Sequence, residues 1–267
     1  MDITHPDPGR RLRLRTLAPL AVTLSLVSLL CTWTWGRLNP TLPGPQLVTS
    51  DRAELLAKRT EVAFTDAEMV WERAVSDGSG RRFDPAKLVF FTRTTGTACA
   101  SGASVSGPFY CPETGTVAFD LAFLDALGGR LKREQDLGLA LVAGRVSAEH
   151  LQREAGILDR AALELVGARR ARRAAVRAAL ALHADCLTGA WAAAAAARLG
   201  PVPDGFYSQL VWSARNVVDD LGQAGVRVPP EFDAFATGGQ EDRAAAFAAG
   251  YAAASVAGCP TPPEIGG

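Results

Sequence analysis

Apolar side chains recur at roughly helical spacing through residues 51–75, the period of a helix with one buried face. The stripe consists of Leu55, Leu56, Val62, Phe64, Met69, Val70, Trp71 and Val75. Asp66 stands ahead of the second half of the stripe, and an aspartate side chain can accept a hydrogen bond from a free amide at a helix start. The pattern therefore predicts helical structure here, with a helix start near Asp66.

Two short apolar runs with a different pattern follow the helical stripe. They are KLVFFT at 87–92 and TVAFDL at 116–121, and the turn residues PETG precede the second run. From Ala122 onward the chain is rich in alanine and leucine, with glycine and proline breaks near residues 128, 156, 200 and 229. The order predicts an α+β domain in which helices dominate and a small β-sheet lies in the first half.

The N-terminal part of the chain has a long uncharged pattern, residues 17–36, which starts at Leu17 and ends at Gly36. A helix of this length extends over roughly 30 Å, which matches a bilayer core. Four arginines between residues 10 and 15 precede it, and such charges stay on the cytoplasmic side. The pattern predicts one transmembrane helix, with residues 1–16 as a basic cytoplasmic tail and the C-terminal domain outside the cytoplasm at the cell membrane.

A cleavable signal peptide is the alternative to an uncleaved anchor. Its apolar region is usually about 7–15 residues and ends in a small-x-small site, a pattern that this stretch lacks. Residues 37–50 contain the proline-rich sequence NPTLPGP, which predicts a short stiff tether. The folded domain is then expected over residues 51–260, with residues 261–267 as a C-terminal tail.

The charge balance of the chain limits which partners it can attract. The 28 basic and 28 acidic residues of the chain cancel, which argues against an overall attraction to nucleic acid. An arginine cluster within GARRARRAAVRAAL, residues 167–180, invites a nucleic-acid or lipid-headgroup interpretation. A solvated helix face explains the same pattern, and we favour it outside the cytoplasm. We expect no nucleic-acid partner.

Cysteine chemistry follows from the predicted compartment. Apart from Cys31 in the apolar run, the chain has Cys99, Cys111, Cys186 and Cys259, an even number in an oxidising location. Three pairings are possible, and Cys99 with Cys111 is the local candidate because both flank a glycine-rich stretch. Cys186 would then pair with Cys259. A four-cysteine zinc site is the competing interpretation, although no CxxC spacing supports it.

Three segments together resemble a known family. TGTACASGASVSGPFYCPETGTVAFDLAFLDAL, then HADCLTGAW, then ATGGQEDRAAAFAAGY with a late cysteine are similar to the neutral zinc metallopeptidase family of bacterial membrane-anchored proteins. The similarity begins near VAFTDAEMVWERAV and ends at about Cys259. It implies a zincin-like domain in which one helix carries HExxH and a later helix carries a segment like ELQADC. Two histidines and the later glutamate would bind zinc, and the glutamate of HExxH would polarise the attacking water.

This chain departs from the family at each of those positions. Matching LQREAGI to the end of the HExxH helix places Arg145, Val146 and Glu149 at the histidine, glutamate and histidine of the motif. Matching ALHADC to ELQADC places Ala181 at the glutamate ligand. The chain has only His5, His150 and His183, none of them four residues apart, so HExxH cannot occur anywhere in it. We expect that the zinc cofactor of the family is lost.

Two hypotheses describe what stands in place of the metal. Arg145 and Glu149 are spaced i to i+4, so on a helix they face the same way and can pair. In the first hypothesis, the guanidinium fills part of the zinc volume and supplies its positive charge. An ordinary exposed salt bridge, contributing less than about 1 kcal/mol, explains the same spacing.

The second hypothesis is a rearranged metal site built from His150, Glu154, His183 and Asp185. These residues lie within a few positions of those where the family has its zinc ligands, on the same two predicted helices. Helix geometry weakens it, because His150 points about 100° away from Glu149. Asp185 matches the family's aspartate, which implies retained architecture.

These observations predict a membrane-anchored pseudopeptidase that binds a peptide or a partner protein in the cell envelope without cutting it. A metallopeptidase with a rearranged site at His150 and His183 is one alternative, and a structural envelope protein is another. No GxSxG or GK[ST] motif indicates a different chemistry.

Overall fold

A computed structural model of the chain describes residues 49–80, 82–101, 104–225 and 233–265, all within one compact unit, Leu47–Gly267. The helices are α1 (Ser50–Ser79), α2 (Leu121–Leu131), α3 (Gln135–Glu154), α4 (Ile157–Leu165), α5 (Arg170–Ala194), α6 (Ala196–Leu199), α7 (Phe206–Gln223) and α8 (Gln240–Ala253). The strands are β1 (Lys87–Phe91), β2 (Thr95–Gly96), β3 (Ser104–Val105), β4 (Phe109–Cys111) and β5 (Thr116–Asp120). The predicted helix-dominated α+β class is confirmed.

Helix α1 is one continuous helix, so the predicted helix start at Asp66 is wrong. The side chain of Thr49 caps its N-terminus by accepting a hydrogen bond from the Arg52 amide, and Gly80 ends it with a left-handed φ of 62°. Asp66 lies in the middle of the helix and accepts hydrogen bonds from Trp191 Nε1 at 2.8 Å and Arg198 Nε at 2.6 Å. Its carboxylate therefore joins α1 to distant elements instead of capping a helix.

The two predicted strands are confirmed as β1 and β5, which pair in parallel with Lys87 opposite Thr116. Strand β4 adds to the other edge of β5 in the antiparallel sense, and β2 and β3 form a separate two-stranded ribbon. Asp120 ends β5, caps α2 through the Ala122 amide and also accepts hydrogen bonds from the Arg93 amide and the Ser106 hydroxyl. This buried carboxylate therefore holds the connections around the sheet in place.

Helix α3 lies in the middle of the domain, where it packs against α1, α2, α5 and β4. Trp71 from α1 and Trp191 from α5 are fully buried beside it. The Trp71 indole donates to Ser147 Oγ at 2.8 Å, and Gly144 leaves room for the ring of Trp191, which a side chain there would overlap. The helix that carries the candidate site thus packs against large side chains from two neighbouring helices.

Helices α5 and α8 approach each other closely through two glycines. A Cβ atom at Gly189 would overlap the carbonyl oxygen of Phe247, and one at Gly250 would overlap that of Cys186. Both contacts are with backbone rather than with flexible side chains. The separation of the two helices is therefore set by the small size of these residues.

Both favoured cysteine pairings are confirmed. The bond between Cys99 and Cys111 closes a separation of 12 residues, and the bond between Cys186 and Cys259 closes one of 73. Ile265, in the predicted C-terminal tail, is fully buried against Ile157 and Ala161 of α4 and Val176 of α5. The end of the described chain is therefore tied to the helical core both covalently and by packing.

No helix among the described residues is both long and apolar enough to cross a bilayer. The predicted transmembrane helix at residues 17–36 and nearly all of the tether lie outside the described residues. The arginine cluster lies at the start of α5, where Arg169, Arg170, Arg173 and Arg177 are exposed and Arg172 pairs with Glu164 at 2.6 Å. Such exposure is typical of a solvated helix face.

Candidate functional site

An open cleft of about 320 Å³ lies between α3, α4, α5 and the segment around β4. Arg145, Glu149 and Ala181, three of the four positions that the resemblance assigns to zinc chemistry, line this cleft. The fourth, Val146, is fully buried in the hydrophobic core. The structure therefore brings the three positions that the resemblance assigns to zinc ligands together at one open surface.

Arg145 lies at the base of this cleft with 2 % of its side chain exposed. Its Nε donates a hydrogen bond to Asp185 Oδ1 at 2.8 Å, and its Nη1 donates to Glu149 Oε1 at 2.7 Å. The pair expected from the i to i+4 spacing therefore forms. Because one guanidinium joins carboxylates on α3 and α5, it is not an ordinary surface salt bridge.

Asp185 is a fully buried carboxylate at the centre of a larger network. Besides Arg145, it accepts hydrogen bonds from Arg243 Nε at 2.6 Å, Arg243 Nη2 at 2.7 Å and the Tyr207 hydroxyl at 2.6 Å. Arg243 comes from α8 and Tyr207 from α7, and both are buried. One carboxylate therefore fixes α3, α7 and α8 relative to α5.

The neighbouring carboxylates keep the two arginines of this network charged. Burial alone would lower the pKa of Arg145, but the carboxylates of Glu149 and Asp185 together outweigh it and raise that pKa above its usual value. The same competition between burial and Asp185 leaves the pKa of Arg243 raised. Burial, then the charge of Asp185, raises the pKa of the Tyr207 hydroxyl. The arginines remain cations and the tyrosine remains a donor across the physiological pH range.

Sequence reasoning missed Arg243 and Tyr207. A signal for Arg243 was present, because it is the one basic residue in the α8 sequence QEDRAAAFAAGYAA, where small apolar residues predict a buried helix face. Tyr207 carried no comparable signal, since aromatic residues are common on the apolar face of a helix such as α7. Its role depends on where α7 lies relative to Asp185.

The residues at the ancestral positions do not fit a zinc ion. Zinc is held by deprotonated sulfur, imidazole nitrogen or carboxylate oxygen, and a guanidinium offers none of these. Arg145 instead places positive charge 2.7 Å from Glu149, the one remaining side chain of the set that is able to ligate. Ala181 ends in a methyl group, and Val146 cannot act as the general base. The guanidinium and a divalent cation would compete for the same carboxylate.

His150 belongs to a different network, where α3 meets α1. Its Nδ1 lies 3.1 Å and 3.2 Å from the two carboxylate oxygens of Glu68, and its ring contacts Phe83 edge-on. Glu68 also accepts hydrogen bonds from Ser147 Oγ at 2.6 Å and from the Ala86 amide at 3.1 Å. The histidine therefore connects α3 to α1 and to the segment that leads into β1.

His183 is fixed by a second set of partners. Its Nε2 lies 3.1 Å from the Cys259 carbonyl oxygen, to which it donates, and its Nδ1 accepts a hydrogen bond from Gln152 Nε2 at 3.0 Å. Burial lowers the pKa of His183, so the ring is held in its neutral form. It joins α3 and α5 to the C-terminal segment.

The four residues of the rearranged-site hypothesis do not converge. His150 lies 3.7 Å from Glu154, while His183 and Asp185 are engaged with other partners. Within the described ranges, the only three side chains whose ligand atoms cluster tightly are Cys99, Cys111 and Glu113, and both cysteines are in a disulfide. The rearranged site therefore has no geometric support in this part of the chain.

The pKa of His183 predicts a pH dependence of stability. Because burial lowers the folded-state pKa, the unfolded chain takes up a proton as pH falls below about 6.5 while the native protein does not. The free energy of unfolding is therefore expected to fall over that range. Replacing His183 by glutamine, which the family segment ELQADC carries at this position, should make the urea midpoint less dependent on pH between about 5 and 7. Parallel curves for the two proteins would contradict this expectation.

The fold and the site together describe a helix-dominated α+β domain with one open cleft, lined by three of the positions that the resemblance assigns to zinc chemistry. A family profile described as "Putative neutral zinc metallopeptidase" matches residues 36–262, and the chain belongs to this family. It is 30% identical to YpfJ of Escherichia coli K12 over 207 residues, covering 77% of this chain and 71% of that protein. It is also 35% identical to Rv2575 of Mycobacterium tuberculosis H37Rv over 109 residues, 38% of this chain and 33% of that one. No solved structure matches.

Proposed function

We propose that the protein is a membrane-anchored, catalytically inactive member of the family, whose zincin-like domain binds a peptide or a partner protein in the cell envelope. The observation that carries the proposal is the Arg145 guanidinium, held between Glu149 and Asp185 where the family has its first zinc-binding histidine. The uncharged run at residues 17–36 supports an anchor, and the disulfides support a location outside the cytoplasm.

Binding is favoured over a purely structural role because the cleft stays open. Empty apolar volume is destabilising, so a purely structural domain is expected to fill such a space with larger side chains. Here the ligand position on α5 is Ala181, a small residue, and about 320 Å³ remains accessible. Charged side chains also line the opening, among them Glu113, Arg177 and Asp233. A polar, open cleft is suited to holding a ligand.

Metal analysis tests the loss of zinc chemistry. After incubation of the full-length protein with zinc and exhaustive dialysis, elemental analysis should find far less than one zinc per chain, because Arg145 is a permanent cation beside the one remaining carboxylate. The protein should not hydrolyse casein, and a chelator should leave its thermal stability unchanged.

A variant with the family's ligand set provides the control for this measurement. Arg145→His, Val146→Glu, Glu149→His and Ala181→Glu combined should retain near-stoichiometric zinc under the same conditions. Stoichiometric zinc in the unaltered protein, together with chelator-sensitive proteolysis, would overturn the proposal and revive an active metallopeptidase.

A further inference from the structure

Arg145 contributes an unused hydrogen-bond donor to the cleft. Its Nε and Nη1 donate to Asp185 and Glu149, while Nη2 makes no hydrogen bond to any described residue. The side chain is 2 % exposed and lines the cleft. Donors of buried guanidinium groups are normally satisfied, because an unpaired one forfeits its interaction with water. This nitrogen is thus available to an acceptor on a ligand.

Glu149 contributes an unused acceptor next to that donor. Its Oε1 accepts the hydrogen bond from Arg145 Nη1, whereas Oε2 accepts none from the part of the chain that the structure describes. The Glu149 side chain is 26 % exposed and lines the same cleft. One open donor and one open acceptor therefore belong to two cleft-lining side chains that are joined by a hydrogen bond.

The charge around this pair selects against ionised ligand groups. Arg145 and Arg243 are balanced by Glu149 and Asp185, so the network as a whole is neutral. An anion placed on Arg145 Nη2 would lie next to the Glu149 carboxylate and be repelled, and a cation placed on Glu149 would meet Arg145. A neutral group with one acceptor and one donor satisfies both sites without either penalty.

Amides supply this combination in two ways. A residue in extended conformation presents its own C=O and N–H along one edge, as it does in a hydrogen-bonded pair of an antiparallel sheet. A primary carboxamide, as in asparagine or glutamine side chains, presents a C=O and an N–H on the same side. We infer that Arg145 Nη2 and Glu149 Oε2 together recognise an uncharged amide edge of the ligand. This inference rests on the proposed function, because it takes the cleft to be the binding surface.

The test uses the full-length protein in detergent and a mixed pool of N-acetylated pentapeptides that end in an N-methylamide, with bound peptides quantified by mass spectrometry after equilibrium dialysis. We expect retention of pool members, with affinities that change less than about threefold between 0.05 and 0.5 M salt because no ion pair forms. A matched pool with free C-termini should bind no better. A pool without asparagine and glutamine distinguishes the two sources: unchanged binding indicates the main chain, and loss of binding indicates side-chain carboxamides.

Matched substitutions identify the residues. Glu149→Gln retains an oxygen for Arg145 but turns the free acceptor into a donor, so binding should weaken by about tenfold or more. Glu72→Gln makes the same chemical change at an exposed carboxylate of α1 outside the cleft, and it should leave affinity within about twofold. Thr237→Trp, in a half-buried loop position of the cleft, should abolish binding by filling the space, with Ala181→Leu as a second filling variant. Thermal unfolding checks that each variant is folded.

The outcomes distinguish a failure of the amide inference from a failure of the proposed function. If the filling variants abolish binding but Glu149→Gln weakens it no more than Glu72→Gln, the amide inference fails and cleft binding stands. The same holds if retention requires a free carboxylate or collapses in salt. If no peptide is retained, or if retention survives both filling variants, the proposed function fails and the inference fails with it.

Discussion

Replacing Asp185 by asparagine is expected to lower the free energy of unfolding by roughly 3–5 kcal/mol, the usual range for removing one partner from a buried ion pair. The carboxylate accepts hydrogen bonds from Arg145, Arg243 and Tyr207, all of them buried. Asparagine offers one acceptor oxygen and directs an NH₂ group at guanidinium donors. Arg145 would then keep its ion pair with Glu149 at 2.7 Å, while Arg243 would lose the only ion pair that it makes within the described residues.

Urea titration followed by circular dichroism measures this loss. Asp136→Asn is the matched control, because Asp136 pairs with Arg59 at the surface with 65% of its side chain exposed. An exposed pair of this kind contributes less than about 1 kcal/mol. Similar midpoints for the two variants would show that the buried network does not hold the helices together.

Gly189→Ala has the second largest expected effect, a destabilisation of about 3 kcal/mol. The added Cβ would overlap the carbonyl oxygen of Phe247 and lie 2.7 Å from the amide nitrogen of Tyr251. Both are backbone atoms of α8, so no rotamer change relieves the overlap and the helices must separate. Since α5 carries Asp185 and α8 carries Arg243, the same separation lengthens their ion pair.

Gly222→Ala is the control for this substitution. Gly222 lies near the end of α7, where a Cβ would have nothing within 4 Å. Alanine there should raise stability by up to about 1 kcal/mol, because it favours the helix more than glycine does. The thermal midpoints of the two variants should therefore move in opposite directions. A midpoint for Gly189→Ala at or above that of the unaltered protein would contradict the close helix approach.

Local patterns along the sequence predicted the elements better than their exact ends. The strands β1 and β5 were predicted from dense apolar runs, because a buried strand needs such residues whatever its neighbours are. The helix start at Asp66 was predicted wrongly, because the carboxylate that appears suited to capping instead bonds Trp191 and Arg198, more than 100 positions away along the chain. A capping signal is local and cannot distinguish these uses.

The candidate site likewise has features that local sequence patterns predict and features that depend on long-range packing. A count of three histidines was enough to exclude HExxH, and the i to i+4 spacing was enough to predict that Arg145 and Glu149 pair. That Arg145 is buried could not be predicted, because its burial depends on Asp185, whose position is fixed by Arg243 on α8. Such a chain of contacts joins three helices and becomes visible only when their packing is known.

The long-range disulfide has a consequence for how the domain is made. Cys186 lies in α5 and its partner Cys259 follows 73 residues later. During synthesis Cys186 therefore emerges with its thiol unpaired, and its native partner becomes available only after those residues have been added. The loop that the bond closes contains α6, α7 and α8, and α8 carries Arg243. A chain cut between the two cysteines would lose the covalent link and keep a free thiol on α5, so the bond reports chemically that this stretch of three helices is present.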